Sequence, residues 1–193
     1  MNSMKTRHHI EYTTVSTPEE VTQILALQAA NHDSTLSPAE KEAQGFVTVR
    51  HDPDVLQRMN EAAPAVIAKD GDRVVGYALV MPRSFGAEVP ELVPMFAMLD
   101  ELTWQDRRLR DHPRWFVMGQ ICIADGYRGQ GLFDGLYAKM QKVCAAHYDF
   151  TVTEVAARNT RSLRAHERVG FETMRVYDDP VTGETWYVVG LAM

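Results

Sequence analysis

Phe116 to Ile123 is the stretch that most narrows what this chain can become. Phe116, Val117, Met118, Ile121, Cys122 and Ile123 form an almost unbroken apolar run, the pattern of a strand buried on both faces. Asp125, Gly126 and Tyr127 break it. Arg128, Gly129, Gln130, Gly131, Leu132 and Phe133 then open a helix, which the spacing of Leu132, Leu136, Met140 and Val143 carries to about His147. A strand that feeds a glycine-spaced turn and a helix start leaves backbone N–H groups without intrahelical partners. Those donors, with the positive end of the helix dipole, suit a phosphate or pyrophosphate.

The rest of the chain fits around this unit. Ile10 to Val15 reads as a strand, and Thr17-Pro18-Glu19-Glu20 supplies an N-cap, a proline and a capping-box acid for a helix carrying Val21, Ile24, Leu25 and Gln28. Ser37-Pro38-Ala39-Glu40 repeats the signal for a short helix stopped by Gly45, and Asp52-Pro53 starts a third that ends before Pro64. Ala65–Lys69 and Val74–Val80, separated by Asp70-Gly71-Asp72, read as a hairpin. An excursion of about thirty residues follows to Trp115, in which Leu92, Met95, Phe96, Leu99 and Leu102 recur at helical spacing. That stripe suits packing onto the core, a flap over a substrate site or a homodimer face. Beyond the central unit come a strand over Thr151–Ala156, a helix from Asn159 to Gly170, and strands over Phe171–Tyr177 and Glu184–Leu191. At 193 residues this order predicts one α/β domain, 1–193, with a mixed sheet.

Charge and cysteine usage narrow the partners. A net charge of −6 argues against a nucleic-acid surface and favours a cationic partner only mildly, since solubility alone accounts for it. Cys122 and Cys144 lack metal-ligand spacing and read as reduced core residues of a cytosolic protein. His8 and His9 read as solvated, so no metal site is expected. Neither a leader-like apolar run nor a membrane-span-length segment stands in the sequence, which predicts a cytoplasmic protein without a membrane partner.

Two patterns occur in order: Tyr127-Arg128-Gly129-Gln130-Gly131-Leu132 after one strand, then Glu154-Val155, Asn159, Ser162, His166, Gly170 and Phe171 after the next. Together they resemble the GCN5-related N-acetyltransferase (GNAT) family of acyl-CoA-dependent transferases. The first is similar to the family's Arg/Gln-x-x-Gly-x-Gly/Ala pattern at Arg128 and Gly131, with Phe133 where a small residue is usual. The second matches at Asn159, Gly170 and Phe171. The resemblance implies a GNAT-like α/β fold with a mixed, mostly antiparallel sheet. Its central strands, about 115–123 and 151–156, splay apart, and a helical insertion occupies about 82–114.

It also implies acetyl-CoA as acyl donor, with the pantothenate arm in the gap between those strands. The backbone of Ile121, Cys122 and Ile123 would pair with the arm as with a missing strand. The amides of Arg128, Gly129, Gln130, Gly131, Leu132 and Phe133 would cradle the pyrophosphate. Asn159 would hold the arm by its amide, cap the following helix, or do both.

Acetyl transfer to an amine requires that an alkylammonium, pKa roughly 10, lose a proton. It requires a donor for the oxyanion, and a proton for the departing thiolate. The resemblance makes Glu154 the first candidate base, with a glutamate on the wet face of its strand as the alternative. His166 stands where many family members carry a tyrosine acid, so it is the candidate acid, or the base with roles exchanged. Tyr137 and Tyr187 are further proton donors. Asp33, Glu88, Glu91, Asp100 and Glu101 could attract an ammonium group. A small-molecule amine is the expected acceptor. A protein N-terminus or lysine, or a non-catalytic acyl-CoA sensor, are the alternatives.

Overall fold

Cap residues start the early helices in a computed structural model of the chain, which describes residues 9–180 and 182–193, apart from the side chains of residues 42–44. Capping boxes pair Thr17 with Glu20 and Ser37 with Glu40 at the heads of α1 (Pro18–Ala30) and α2 (Pro38–Gln44). The Asp52 carboxylate accepts from the Asp54 and Val55 amides to start α3 (Pro53–Ala62). His8 lies outside the described residues; His9 is exposed. Among the described residues no cluster of His, Cys, Asp and Glu could hold a metal ion, and no helix is long and apolar enough to cross a membrane.

The strands are β1 (Ile10–Thr14), β2 (Val66–Asp70), β3 (Arg73–Pro82), a two-residue pair β4 (Thr103–Trp104) and β5 (Arg107–Arg108), β6 (Trp115–Ile123), β7 (Phe150–Ala156), β8 (Glu172–Asp178) and β9 (Thr185–Ala192). Seven of them form one sheet in the order β1-β2-β3-β6-β7-β9-β8, antiparallel except at β6–β7. Helices α1 and α3 pack on one face, and α5 (Leu132–Cys144) and α6 (Thr160–Arg168) on the other, each over its own apolar cluster.

The insertion lays most of its apolar stripe against the core. It runs through two 3-10 turns into α4 (Val93–Leu99) and the small β4–β5 hairpin, which the periodicity did not announce. Met95, Phe96, Leu99 and Leu102 are buried in the cluster beneath α1 and α3, so the stripe packs onto the core. Leu92 is partly buried against the same cluster.

The feature that positions everything else is local to β6. Ala78 pairs with Ile121 and Val80 with Met118, so Gly119 and Gln120 together face Leu79 in a bulge. A bulge bends its strand and strengthens the twist. Parallel pairing of β6 with β7 covers only Trp115–Val117 against Phe150–Val152. Past the bulge, β6 follows β3 to Ile123 while β7 follows β9 to Ala156, and the two strands part.

A buried polar network holds the bulge. The Gln120 Oε1 accepts from Gln28 Nε2 at 2.7 Å and from the Tyr77 hydroxyl, and Gln120 Nε2 donates to the Val49 carbonyl at 3.0 Å. Gln28 also accepts from the His51 amide at 2.8 Å, tying α1 to the segment that walls the gap. Removing the amide of Gln120 takes an acceptor from the buried Tyr77 hydroxyl and from Gln28 Nε2, and takes the side-chain donor from the Val49 carbonyl. At about 1–3 kcal/mol per group, Gln120→Leu is expected to lower unfolding stability by roughly 2–4 kcal/mol, read as a shifted urea midpoint with an unchanged slope.

Candidate active site

The parted strands open onto three connected spaces. On the α5–α6 side lies a cavity of about 430 Å³, lined by Ile121, Cys122, Ile123, Arg128, Gly129, Gly131, Leu132, Phe133 and Asn159, with Arg161, Arg164 and Arg168 from α6. A narrow throat of about 80 Å³ follows between Met118–Ile121 and Thr153–Ala156, and both Glu154 and His166 line it. Beyond it a third space of about 250 Å³ is walled by Glu91, Leu92, Pro94, Met95, Val117, Met118, Glu154, Tyr177, Asp179 and Trp186.

The head of α5 faces the first cavity. Gly131 caps it in the left-handed region (φ 81°), Gly129 has φ 71°, and no side chain caps the first amides. Side chains with Cβ are strained there, which explains the glycines. Nine of the ten expected donor-site residues line this space. The tenth, Gln130, is absent from its walls and instead donates from Nε2 to the Gly126 carbonyl at 2.7 Å, bracing the turn. Arg128 is likewise a brace: its Nε donates to the Ile123 carbonyl at 3.1 Å and its guanidinium reaches Asn31 and Asp125. Asn159 caps α6, its Oδ1 accepting from the Ser162 amide at 3.3 Å, while its Nδ2 donates to the Phe46 carbonyl at 3.3 Å. Cys122 is buried, and desolvation pushes its thiol up to about 12, so it remains protonated.

Glu154 does not sit on a wet face. Burial raises its carboxyl to about 7; the nearby Asp179 charge adds to the rise, and a 2.8 Å hydrogen bond from the Tyr177 hydroxyl opposes it. His166 moves the other way, lowered by burial to about 4. Its Nδ1–H donates to the Ser162 carbonyl at 2.8 Å, because a carbonyl can only accept, so Nε2 accepts from the Tyr137 hydroxyl at 2.8 Å. Phe133, Tyr137 and Phe171 surround the ring. Tyr187 packs into the α5–α6 cluster and lines none of the three spaces.

Of the five acids picked out in the sequence, four are held by arginines: Asp33 by Arg158, Glu88 by Arg58, Asp100 by Arg83, and Glu101 by Arg108 and Arg110. Glu91 alone of the five lines the third space. Tyr177, Asp179 and Trp186 complete that wall and escaped sequence reading. Strand pairing sets Tyr177 opposite Trp186 and Trp186 opposite Ala156, a register that local pattern does not reveal.

The family model for the acetyltransferase (GNAT) family matches residues 32–171. No curated protein sequence matches the chain significantly. Among solved structures, the ribosomal-protein-S18-alanine N-acetyltransferase of Escherichia coli is similar at a TM-score of 0.60 and 10% identity, over 95% of this chain and 93% of that one. The NatC complex bound to Gag peptide and CoA gives 0.62 and 16%, over 95% and 98%. The yncA protein of Salmonella typhimurium, solved with its cofactor acetyl-CoA, gives 0.61 and 14%, over 95% and 93%. At these identities the likeness is one of fold.

Tyr177 should govern the protonation of Glu154. A hydrogen bond worth about 1 kcal/mol corresponds to somewhat less than a tenfold change in an ionisation constant. Tyr177→Phe is therefore expected to move the Glu154 titration further above about 7, visible in the pH titration of its carboxyl carbon by NMR; an unmoved midpoint would remove Tyr177 from the site.

Proposed function

The chain belongs to the acetyltransferase (GNAT) family, and from that footing we propose that it transfers the acetyl group of acetyl-CoA to a primary amine of a small molecule, with Glu154 as base. The observation that carries the reading is the passage from an arginine-lined cavity, through a throat walled by Glu154, to a space lined by carboxylates.

The first cavity fits the donor. Uncapped amides at the head of α5 suit a pyrophosphate, and Arg128, Arg161, Arg164 and Arg168 put positive charge on the walls with no carboxylate among them. Backbone groups of β6 beyond Val117 face the gap without a β7 partner, which suits Ile121, Cys122 and Ile123 to the amides of the pantothenate arm. Asn159 would turn its Nδ2 from the Phe46 carbonyl to the arm. When bound, acetyl-CoA supplies the acetyl group as an activated thioester.

Glu154 then takes the proton that the acceptor's ammonium must lose. The freed nitrogen bonds the acetyl carbon as the carbon–sulfur bond breaks and the bonding pair leaves with sulfur; the second proton that the new amide nitrogen must shed passes to that sulfur, so the products are the neutral amide and the free thiol of CoA. A carboxyl titrating near 7 is matched to this task at neutral pH. For His166 we propose a positioning role: its ring is neutral at pH 7, and Ser162 and Tyr137 engage both nitrogens. The acid role first considered for it would need Nδ1–H to leave the Ser162 carbonyl.

A small acceptor is favoured by the size of the third space, about 250 Å³, and the segment leading to its Thr48–Val49 wall is pinned in place by Arg158. Arg158 reaches Asp33 at 3.4 Å and Glu184 at 2.6 Å, and its guanidinium lies 4.2 Å from the Phe46 ring centroid. It so ties the 31–49 segment to the β8–β9 turn. Peptide acceptors, which two of the similar structures act on or hold, are the comparison class.

Thiol release from acetyl-CoA with a panel of amines tests the reading. Glu154→Gln is expected to lower turnover by about 10²–10⁴-fold while affinity for CoA persists; full turnover in the variant would refute Glu154 as base, and CoA binding without turnover of any amine would favour a sensor. The same variant has a second readout. A carboxyl whose folded pKa is raised to about 7 from an ordinary 4.5 costs stability increasingly across that interval and fully above it. Glu154→Gln should accordingly be the more stable protein at pH 8 and lose that advantage towards pH 4.

A further inference from the structure

Charge is segregated across the gap. Four arginines and no carboxylate line the donor cavity; Glu91, Glu154 and Asp179, and no lysine or arginine, line the acceptor space. Glu154 is assigned to the reacting nitrogen, which leaves two carboxylates in a space that reaction chemistry alone does not require. Glu91 stands on the insertion, in the 3-10 turn Pro90–Leu92. Asp179 stands at the β8–β9 turn, where it accepts from the Thr182 amide at 3.3 Å. They approach the space from separate elements, so they are not products of one acidic stretch of chain.

The surfaces between them are apolar or aromatic. Leu92, Pro94 and Met95 come from the insertion, Val117 and Met118 from β6, and Trp186 and Tyr177 from the outer strands. Aliphatic walls suit methylene groups, and aromatic faces attract cations. A half-enclosed space that holds two carboxylates besides the one assigned to the reacting nitrogen is a poor environment for a neutral or anionic tail. It is a good one for a second ammonium group.

We propose that the acceptor is a diamine or a polyamine: a primary amine joined by a short methylene chain to a second cationic nitrogen, which Glu91 and Asp179 hold while the first nitrogen meets Glu154. This rests on the acetyl-transfer reading of the same site and goes beyond it by assigning the acceptor's class. Glu91 is the sharper probe, because it is exposed and its side chain caps nothing, whereas Asp179 also helps shape its turn.

Matched amines separate the two readings. With acetyl-CoA and the full chain, 1,5-diaminopentane is expected to be acetylated with a kcat/KM at least tenfold above that of 1-aminopentane. Glu91→Gln is expected to remove most of that preference, chiefly through KM for the diamine. Equal kcat/KM for the two amines, or an equal loss for both in Glu91→Gln, would overturn the proposal while leaving acetyl transfer intact. Calorimetry of the two amines on Glu154→Gln loaded with CoA provides the independent arm. Tighter binding of the diamine there, without acetylation of either amine by the unaltered protein, would uphold the acceptor's charge and refute the transfer reading. Binding no tighter than that of the monoamine would refute the charge reading whatever the turnover. Asp179→Asn, checked for an unchanged melting temperature, repeats the test from the opposite wall.

Discussion

Interrupted pairing between two neighbouring strands is the constraint on which this molecule turns. Backbone donors and acceptors in a sheet interior are normally paired, and leaving them unpaired and dry is costly. Here β6 and β7 share only three residue pairs before they part. The separation is maintained from both sides: β3 keeps β6 through the bulge, and β9 keeps β7 over its whole length. The network of Gln120, Gln28, Tyr77 and the Val49 carbonyl fills the space behind the bulge with satisfied polar groups, so β6 cannot simply slip back into a regular ladder. A gap supported in this way is part of the fold rather than a fluctuation of it.

The local half of this arrangement is legible in the sequence. Thr17, Ser37 and Asp52 cap their helices because a cap needs only the next three amides. The glycines of the turn before α5 are legible for a similar reason: a left-handed backbone favours that residue wherever it occurs. The apolar run of β6 predicts burial, and Gly119-Gln120 interrupts it where the bulge falls. Other features depend on partners far along the chain. Glu154 could not be assigned a face, because β7 is buried on both sides and its neighbours alternate between two clusters. Asp33, Glu88, Asp100 and Glu101 look like Glu91 in the sequence, yet the fold brings arginines against them, from distant segments for Asp33 and Glu88 and across the β4–β5 hairpin for Glu101. Tyr177 reaches Glu154 across an intervening strand, through a register that only the folded sheet defines.

One physical effect, loss of water, acts with opposite sign on two titratable groups of the throat, Glu154 and His166. Free in solution a glutamate titrates below a histidine; here the glutamate titrates near 7 and the histidine near 4. Burial penalises whichever form is charged, so it protects the protonated carboxyl and the unprotonated ring alike. The throat thereby has little net charge of its own at the pH where Glu154 is half ionised, although a space lined with arginines lies on one side and one lined with carboxylates on the other.

On the proposed reading, that charge profile accounts for deprotonation at Glu154. An ammonium is stabilised among carboxylates, and moving it intact into a dry throat would cost more than the attraction behind it can return. Yielding its proton to Glu154 at the boundary would remove the charge from both partners together, so that the proposed acceptor would enter the throat as a neutral nucleophile beside a neutral acid. The Tyr177 hydroxyl, which donates to the carboxylate at 2.8 Å, limits how far burial can raise the pKa. Without such a donor, burial would favour a carboxyl that stays protonated and cannot act as a base. A carboxylate fully open to water would be too weak a base to compete for the proton of an alkylammonium. A carboxylate base in this position would therefore need both a dry wall and a single well-placed donor, and the parting of β6 from β7 supplies the space in which the two can be combined.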